Sequence, residues 1–185
     1  MKLLEKIKTH TTDKTYCRIT TGLIDDFETI MTGYILDYSS NFILLQETDE
    51  FLINGYRIIP INLIKDIRFN NNDKYLFKIH KEEGLTERIE LPNYKINLSN
   101  WIEIFKSLKK NVNCIISECE AFEQDYFCIG EIKRVNKKSV SIQYFDAKGL
   151  LDEVYTKHYF EEITRVTFED RYSQTFSKYT RKRKK

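Results

Sequence analysis

The chain has 185 residues, the length of one large domain or two small ones. Apolar residues at 41% can fill a core, charged residues at 31% solvate a surface, and aromatics at 14% lean towards β-structure. Thirty basic residues face 28 acidic ones, but the last five, Arg181 to Lys185, are all basic; without them the balance is 25 to 28, or −3, which excludes a broad basic face over the whole body.

The N-terminus, MKLLEKIKTHTTDK, lacks the apolar centre and cleavage site of a signal peptide. No run of about 18 apolar residues occurs, so no membrane span is expected and the chain is expected in the cytoplasm. The four cysteines, Cys17, Cys114, Cys119 and Cys128, then read as reduced thiols buried as small hydrophobes. Cys114, Cys119, Cys128 and His158 match no common metal-ligand spacing, so neither metal nor cofactor is expected.

A first strand is read through Cys17-Arg18-Ile19-Thr20, a second from Ile30 to Tyr38 and a third from Phe42 to Gln46. A fourth follows the turn dipeptide Asn54-Gly55, and a fifth covers Asp66 to Phe69. The segment from Asp73 to Gly84 fits a helix through Tyr75, Leu76 and Ile79, although Tyr75, Phe77 and Ile79 also alternate as a strand would; a helix is expected. Asn100 and Glu103 resemble a capping box before the helical face of Trp101, Ile104, Phe105 and Leu108.

The pattern then starts again. Shifted by 97 residues, Cys17 falls on Cys114, Ile19 on Ile116, Gly33 on Gly130, Ile35 on Ile132, Ile43 on Val140, Leu45 on Ile142 and Gln46 on Gln143. Shifted by 99, Tyr56 falls on Tyr155, Ile64 on Ile163, Ile67 on Val166 and Phe69 on Phe168. Pattern, spacing and glycine placement together indicate an internal duplication. Gly33 and Gly130 sit inside strands, where a glycine marks a bend or bulge. Five short, bent strands in about fifty residues are read as a small closed barrel, because closure removes exposed edges. The expectation is a mainly β protein with some helix: two small five-stranded barrels in tandem at 14–72 and 111–170, a helical connector over 73–110, and a C-terminal helix and basic tail over 171–185. In that last segment Tyr172, Phe176 and Tyr179 share a helical face; core packing is preferred to base stacking.

Gly33-Tyr34-Ile35-Leu36-Asp37-Tyr38, followed by Ile43-Leu44-Leu45-Gln46, resembles the strand-turn-strand of the Sm-like superfamily, and within it the bacterial Hfq branch. Gly130-Glu131-Ile132 to Val140-Ser141-Ile142-Gln143 is a fainter match. The second half is also similar to a widespread group of bacterial proteins of unassigned activity, through Cys119-Glu120, Ile129-Gly130, Phe145-Asp146, Ile163 to Val166 and Asp170 to Ser173. The resemblance implies that the two five-stranded barrels are Sm-like or SH3-like and that RNA is bound near the turn between the second and third strands. Asn41 stands at that turn in the first copy, and Asn136, Lys137 and Lys138 stand there in the second, with Arg134 just before them. Lys157-His158 echoes a Lys-His pair of the family, and Arg181, Lys182 and Arg183 add phosphate contacts from the tail.

Three functions compete for these features. The first is a non-enzymatic Sm-like protein that binds single-stranded RNA weakly. The second is a protein-interaction module that pairs a partner to its strand edges. The third, an enzyme, is disfavoured: no metal motif, phosphate loop or nucleophile elbow occurs, and only His10, His80 and His158 offer imidazoles. Asp170-Arg171 is the most suggestive polar pair, and an ion pair anchoring the last helix accounts for it equally well.

Overall fold

The computed structural model describes residues 2–22, 28–120 and 126–183. The chain forms two compact units, Met1–Asn93 and Tyr94–Lys185.

The first unit begins with a helix that the sequence pattern does not announce, α1 (Leu3–Asp13). The Lys2 backbone N–H donates to the Glu5 carboxylate at 2.9 Å, and Lys14 ends the helix in the left-handed region at φ 48°. Five strands follow: β1 (Tyr16–Gly22), β2 (Glu28–Tyr38), β3 (Phe42–Asp49), β4 (Leu52–Pro60) and β5 (Ile64–Arg68). Their order is β4-β3-β2-β1-β5, with antiparallel ladders throughout. The unit continues into α2 (Asn71–Glu82), which settles the helix-or-strand ambiguity in favour of helix. Asn70 caps it by accepting from the N–H groups of Asn72 and Asp73, and Arg68 grips the Asp73 carboxylate with two bonds of 2.9 and 2.8 Å.

The second unit carries α3 (Trp101–Asn111), β6 (Ile115–Cys119), β7 (Tyr126–Val135), β8 (Ser139–Tyr144), β9 (Leu150–Leu151), β10 (Thr156–Tyr159), β11 (Arg165–Phe168), α4 (Arg171–Phe176) and β12 (Arg181–Lys182). The main sheet runs β10-β8-β7-β6-β11, the order of the first unit repeated, while β12 and β9 pair separately and in parallel. In α3, Trp101, Ile104, Phe105 and Leu108 are buried, as the helical spacing predicts. The segment 73–110, read as one connector, is shared out: α2 belongs to the first unit and α3 to the second.

The expected pair of closed barrels is not what forms. The strands of the main sheet are antiparallel and close into no barrel. Within the first unit β4 and β5 are the two ends of the order and share no ladder, and β10 and β11 stand likewise in the second. Helices do much of the covering that closure was expected to do. One face of the first sheet carries Cys17, Ile19, Met31, Ile35, Ile43 and Leu45, and Ile7 and Leu3 of α1 pack on it. The other face carries Tyr16 and Tyr34, and Leu76 and Phe77 of α2 pack there. A sheet with both faces covered has little hydrophobic incentive to curl shut. β3, buried along nearly its whole length, is the centre of this arrangement.

Two local readings also change. Asn54-Gly55 is not the turn. The chain turns at Glu50, φ 52°, and Asn54-Gly55 forms a bulge inside β4 where the register with β3 shifts. Gly55 takes φ 79°, so a turn-forming dipeptide supplies a bulge instead.

The second change concerns the repeat. The ladders place Ile35 opposite Leu45 and Ile132 opposite Ile142, and each pair is followed by the same bulge, between Ile35 and Asp37 and between Ile132 and Arg134. That agrees with the 97-residue shift. However, Cys17 faces Gly33, whereas Ile115 and not Cys114 faces Gly130. Ile19 faces Ile67, whereas Ser117 and not Ile116 faces Val166. β6 therefore repeats β1 at a shift of 98, and a one-residue slip turns every side chain to the opposite face. Cys114 and Ile116 are thereby delivered to a cluster with Ile129 and Phe145, against which Phe176 packs.

Candidate nucleic-acid interface

The residues selected from the sequence fall in three places. Asn41 is exposed at the β2–β3 turn of the first unit. The Ser39 hydroxyl accepts the N–H groups of Asn41 and Phe42 at 3.1 and 3.0 Å, and the Asn41 carbonyl accepts from Ile61 at 2.8 Å. Its backbone thus holds the turn, and no basic residue stands beside it in sequence.

The second place is the outer face of the second sheet. The β7–β8 turn is closed by the Asn136 N–H donating to the Ser139 carbonyl at 2.8 Å, which leaves Lys137 and Lys138 exposed at the tip. The Lys138 carbonyl accepts the Phe160 N–H at 3.0 Å, tying the tip to the end of β10. Arg134 pairs across to Ser141, and Ser141 pairs across to Lys157, so the three form one cross-strand row. Side chains alternate along a strand, so Tyr159 emerges on the same side as Lys157, and Tyr155, just before β10, lies beside Arg134. The Arg134 guanidinium sits 6.0 Å from the Tyr155 ring centroid. The Lys157 ammonium sits 4.5 Å above the Tyr159 ring and 3.1 Å from its hydroxyl. Tyr155 is 39% exposed and Tyr159 41%.

His158, between them, points the other way and is buried. Its Nδ1 lies 3.1 Å from the Ser117 hydroxyl and its ring 5.1 Å from that of Tyr126. Burial lowers its pKa, with Glu162 pulling in the opposite direction. It does not join the other candidates on the outer face.

The third place is the tail. Arg181 and Lys182 form β12, alongside Leu150 and Leu151. Arg183 pairs with Asp152 at 2.8 Å and Asp146 at 3.4 Å. The tail cations are therefore seated on the unit rather than trailing from it as far as Arg183.

Sequence reading misses Tyr155 and Tyr159, because it looks to the turn, where no aromatic stands. The usable signal is the period-two pattern Tyr155-x-Lys157-x-Tyr159, which places both rings and a cation on one face of an extended segment.

Charge is unevenly divided. Residues 1–93 hold 12 basic and 15 acidic side chains, or −3, and residues 94–185 hold 18 and 13, or +5. Acidic neighbours on the second unit are partly occupied: Glu131 pairs with Lys133 at 2.5 Å, and Glu118 and Glu120 both hold Arg165, at 2.6 and 2.7 Å.

Several other polar and titratable groups are engaged in structure. Among the described residues no three His, Cys, Asp or Glu side chains are grouped to hold a metal ion, and the four cysteines are buried and form no disulfide. His10 and His80 are buried like His158, each with Nδ1 against a hydroxyl, that of Thr15 at 2.7 Å and that of Tyr34 at 2.8 Å. Asp170 is the N-cap of α4, accepting from the N–H groups of Tyr172 and Ser173 and from the Ser173 hydroxyl. Tyr172 and Phe176 of the aromatic stripe meet in a tilted contact at 4.9 Å, and Phe176 stacks on Phe145 at 6.0 Å, whereas Tyr179 is 73% exposed. No helix among the described residues is long and apolar enough to cross a membrane.

What fold and site define is a class: a two-unit antiparallel β protein with a cation- and tyrosine-bearing sheet face on its second unit. No protein-family model, curated protein or solved structure matches the chain.

Proposed function

We propose that the second unit binds single-stranded RNA without sequence preference, as a binding module rather than a catalyst. The observation that carries this reading is the outer sheet face on which Arg134 with Tyr155 and Lys157 with Tyr159 form two tyrosine–cation pairs beside the Lys137-Lys138 tip. Exposed rings stack on bases whatever their identity, and the interleaved cations meet phosphates. The +5 charge of this half supports it, and the −3 of the first half argues against a site spread over both. Buried cysteines outside any disulfide fit a reducing compartment, so the site of action we infer is the cytoplasm.

Fluorescence anisotropy with a labelled single-stranded RNA tests the reading. Tyr155→Ala/Tyr159→Ala should weaken binding by about 1–3 kcal/mol for each base that loses its stack. Lys137→Glu/Lys138→Glu should weaken binding and flatten its salt dependence by about one unit of slope for each phosphate no longer neutralised. Absence of binding by the intact chain at low salt refutes RNA recognition. Binding that depends on residues after Thr180 and ignores both double variants removes the sheet face as the site.

A further inference from the structure

The seating of the tail has a consequence for ligand binding. β12 is only two residues long and pairs in parallel with β9. The Arg181 N–H donates to the Gly149 carbonyl at 2.8 Å. Gly149 is at φ 72°, and a Cβ there would stand 2.8 Å from the Tyr179 carbonyl oxygen, so only glycine lets the tail approach this closely. Beyond the pairing, the attachment is electrostatic: Arg183 bridges Asp152 and Asp146. The Asp146 carboxylate is itself fixed, accepting the N–H groups of Lys148 and Leu150 at 2.9 and 3.0 Å. Those bonds and Arg183 hold it below the usual carboxylate range. The Arg183 side chain remains 44% exposed.

A short ladder with two solvent-facing ion pairs is weak, because water and salt screen pairs of this kind. The segment it restrains ends in the densest run of positive charge in the chain, Arg181-Lys182-Arg183-Lys184-Lys185. Asp146 and Asp152 engage Arg183 through two carboxylates, the anionic chemistry that phosphates would offer in their place.

We propose that the tail is a displaceable strap: residues 181–183 are docked beside β9 with Arg183 on Asp146 and Asp152 in the free protein, and a polyphosphate strand draws them off, its phosphates replacing the two carboxylates as partners of the tail cations. This rests on the RNA-binding reading above and adds a second, conditional set of contacts to the sheet face. Free and bound protein then differ in tail conformation, and part of the binding energy is spent on undocking.

Two variants undock the strap by different means. Asp146→Asn/Asp152→Asn removes the partners of Arg183, and Gly149→Ala removes the close approach without altering charge. The probe is a mixed-sequence single-stranded RNA of about 12 nucleotides, within the range of known single-strand site sizes. At about 0.15 M salt, where exposed charges beyond roughly 8 Å are screened, each variant should bind about three- to fivefold more tightly than the parent, the factor that one surface pair of up to about 1 kcal/mol represents. In a chain ending at Thr180 Gly149→Ala should not change affinity by more than about 1.5-fold, since no strap remains to release, and the gain from Asp146→Asn/Asp152→Asn should fall to the part that two lost negative charges give by themselves. Hydrogen exchange gives a second readout: the Arg181 amide should be protected in the free parent and lose that protection at saturating RNA.

Unprotected tail amides in the free parent overturn the strap whatever RNA does. Protection that survives saturation, or variants that bind no better than the parent, overturns displacement while leaving RNA binding in place. Failure of every chain to bind RNA removes the RNA-binding reading and displacement with it, and protection of Arg181 then reports a static tail.

Discussion

Adding one methyl group at Gly130 tests both the sheet geometry and the repeat. A Cβ at Gly130 would stand 2.7 Å from the Gln143 carbonyl carbon and 3.0 Å from Ile142 Cγ2, and closer still to the Gln143 carbonyl oxygen. Carbon atoms in good contact lie at about 3.5–4.0 Å. The obstacle is backbone of the neighbouring strand, which is held in a ladder with Gly130 opposite Tyr144. It cannot rotate aside as a side chain would. Overpacking of this kind costs about 1–3 kcal/mol, with the upper end expected against backbone. The smaller unfolded-state entropy of alanine offsets about 0.4–1 kcal/mol of that. Gly130→Ala is therefore expected to destabilise by about 2 kcal/mol. Gly33→Ala should cost at least as much, because its Cβ would meet the Gln46 carbonyl in the same way, with the carbonyl carbon at 3.0 Å, and its φ of 155° is one that side chains rarely adopt. Gly84→Ala is the control: φ is 70°, but nothing lies nearer than a Glu87 carboxylate oxygen at 4.0 Å, so only the left-handed strain of roughly 1–2 kcal/mol, less the same entropic offset, applies and the net loss should stay below about 1.5 kcal/mol. Urea denaturation followed by circular dichroism reads all three, and with slopes of about 1–3 kcal/mol/M a 2 kcal/mol loss moves a midpoint by roughly 1 M. A Gly130→Ala protein within about 0.5 kcal/mol of the parent would refute the close approach of β7 to β8.

Ile142→Ala, at a fully buried position of β8, should cost about 2–5 kcal/mol, and a loss under about 1 kcal/mol in the same urea assay would place the side chain outside the packed core. Burial pushes the Cys114 and Cys128 thiols up to about 12 and Cys17 higher still, so a thiol reagent at pH 8 should modify these three cysteines only as fast as the chain opens; rapid labelling of the native protein would contradict their burial. His10, His80 and His158 all have pKa values lowered by burial, so the unfolded chain binds these protons first. Stability from them is complete above about pH 6.5 and is lost as pH falls through the folded values. Urea midpoints should drop between pH 7.5 and 5.5, and a midpoint that holds or rises over that interval would contradict the assignment.

Much of the fold was legible where local chemistry decides it. Alternation located strands through Ile19, Ile35, Ile43 and Ile67, and helical spacing located α3 and, through Gly84, the end of α2. Closure was not legible, because it depends on which strands meet at the ends of the order and on what covers the faces. α1 was the missing term: LLEKIKTHTTD is mostly polar, and only Ile7 and His10 of it are buried, so its apolar stripe is too narrow to stand out. The β6 slip was illegible for a different reason. Cys114, Ile115 and Ile116 are three consecutive apolar residues, and the shift of 97 matches Ile19 to Ile116 whereas the true shift of 98 matches it to a polar residue, Ser117, so similarity favours the wrong register. Only the partner across the ladder, Gly130, selects Ile115.

The site divided along the same line. Lys137 and Lys138 were readable because a turn between two strands puts its residues in solvent. His158 was misplaced because the strand alternation that exposes Lys157 and Tyr159 buries the residue between them, and a family-like pair was matched without asking which face each member takes. Applied consistently, period two selects Tyr155, Lys157 and Tyr159 and rejects His158. The tail needed more than pattern. Five consecutive cations read as a solvated end, and nothing in them announces a partner. The partners lie in Asp146, Gly149 and Asp152, about thirty positions or more earlier, where Asp146 and Gly149 read as an ordinary turn. A charge run is therefore best interpreted together with the carboxylates that the fold can bring to it, since a docked cation contributes to ligand binding only after it has been released.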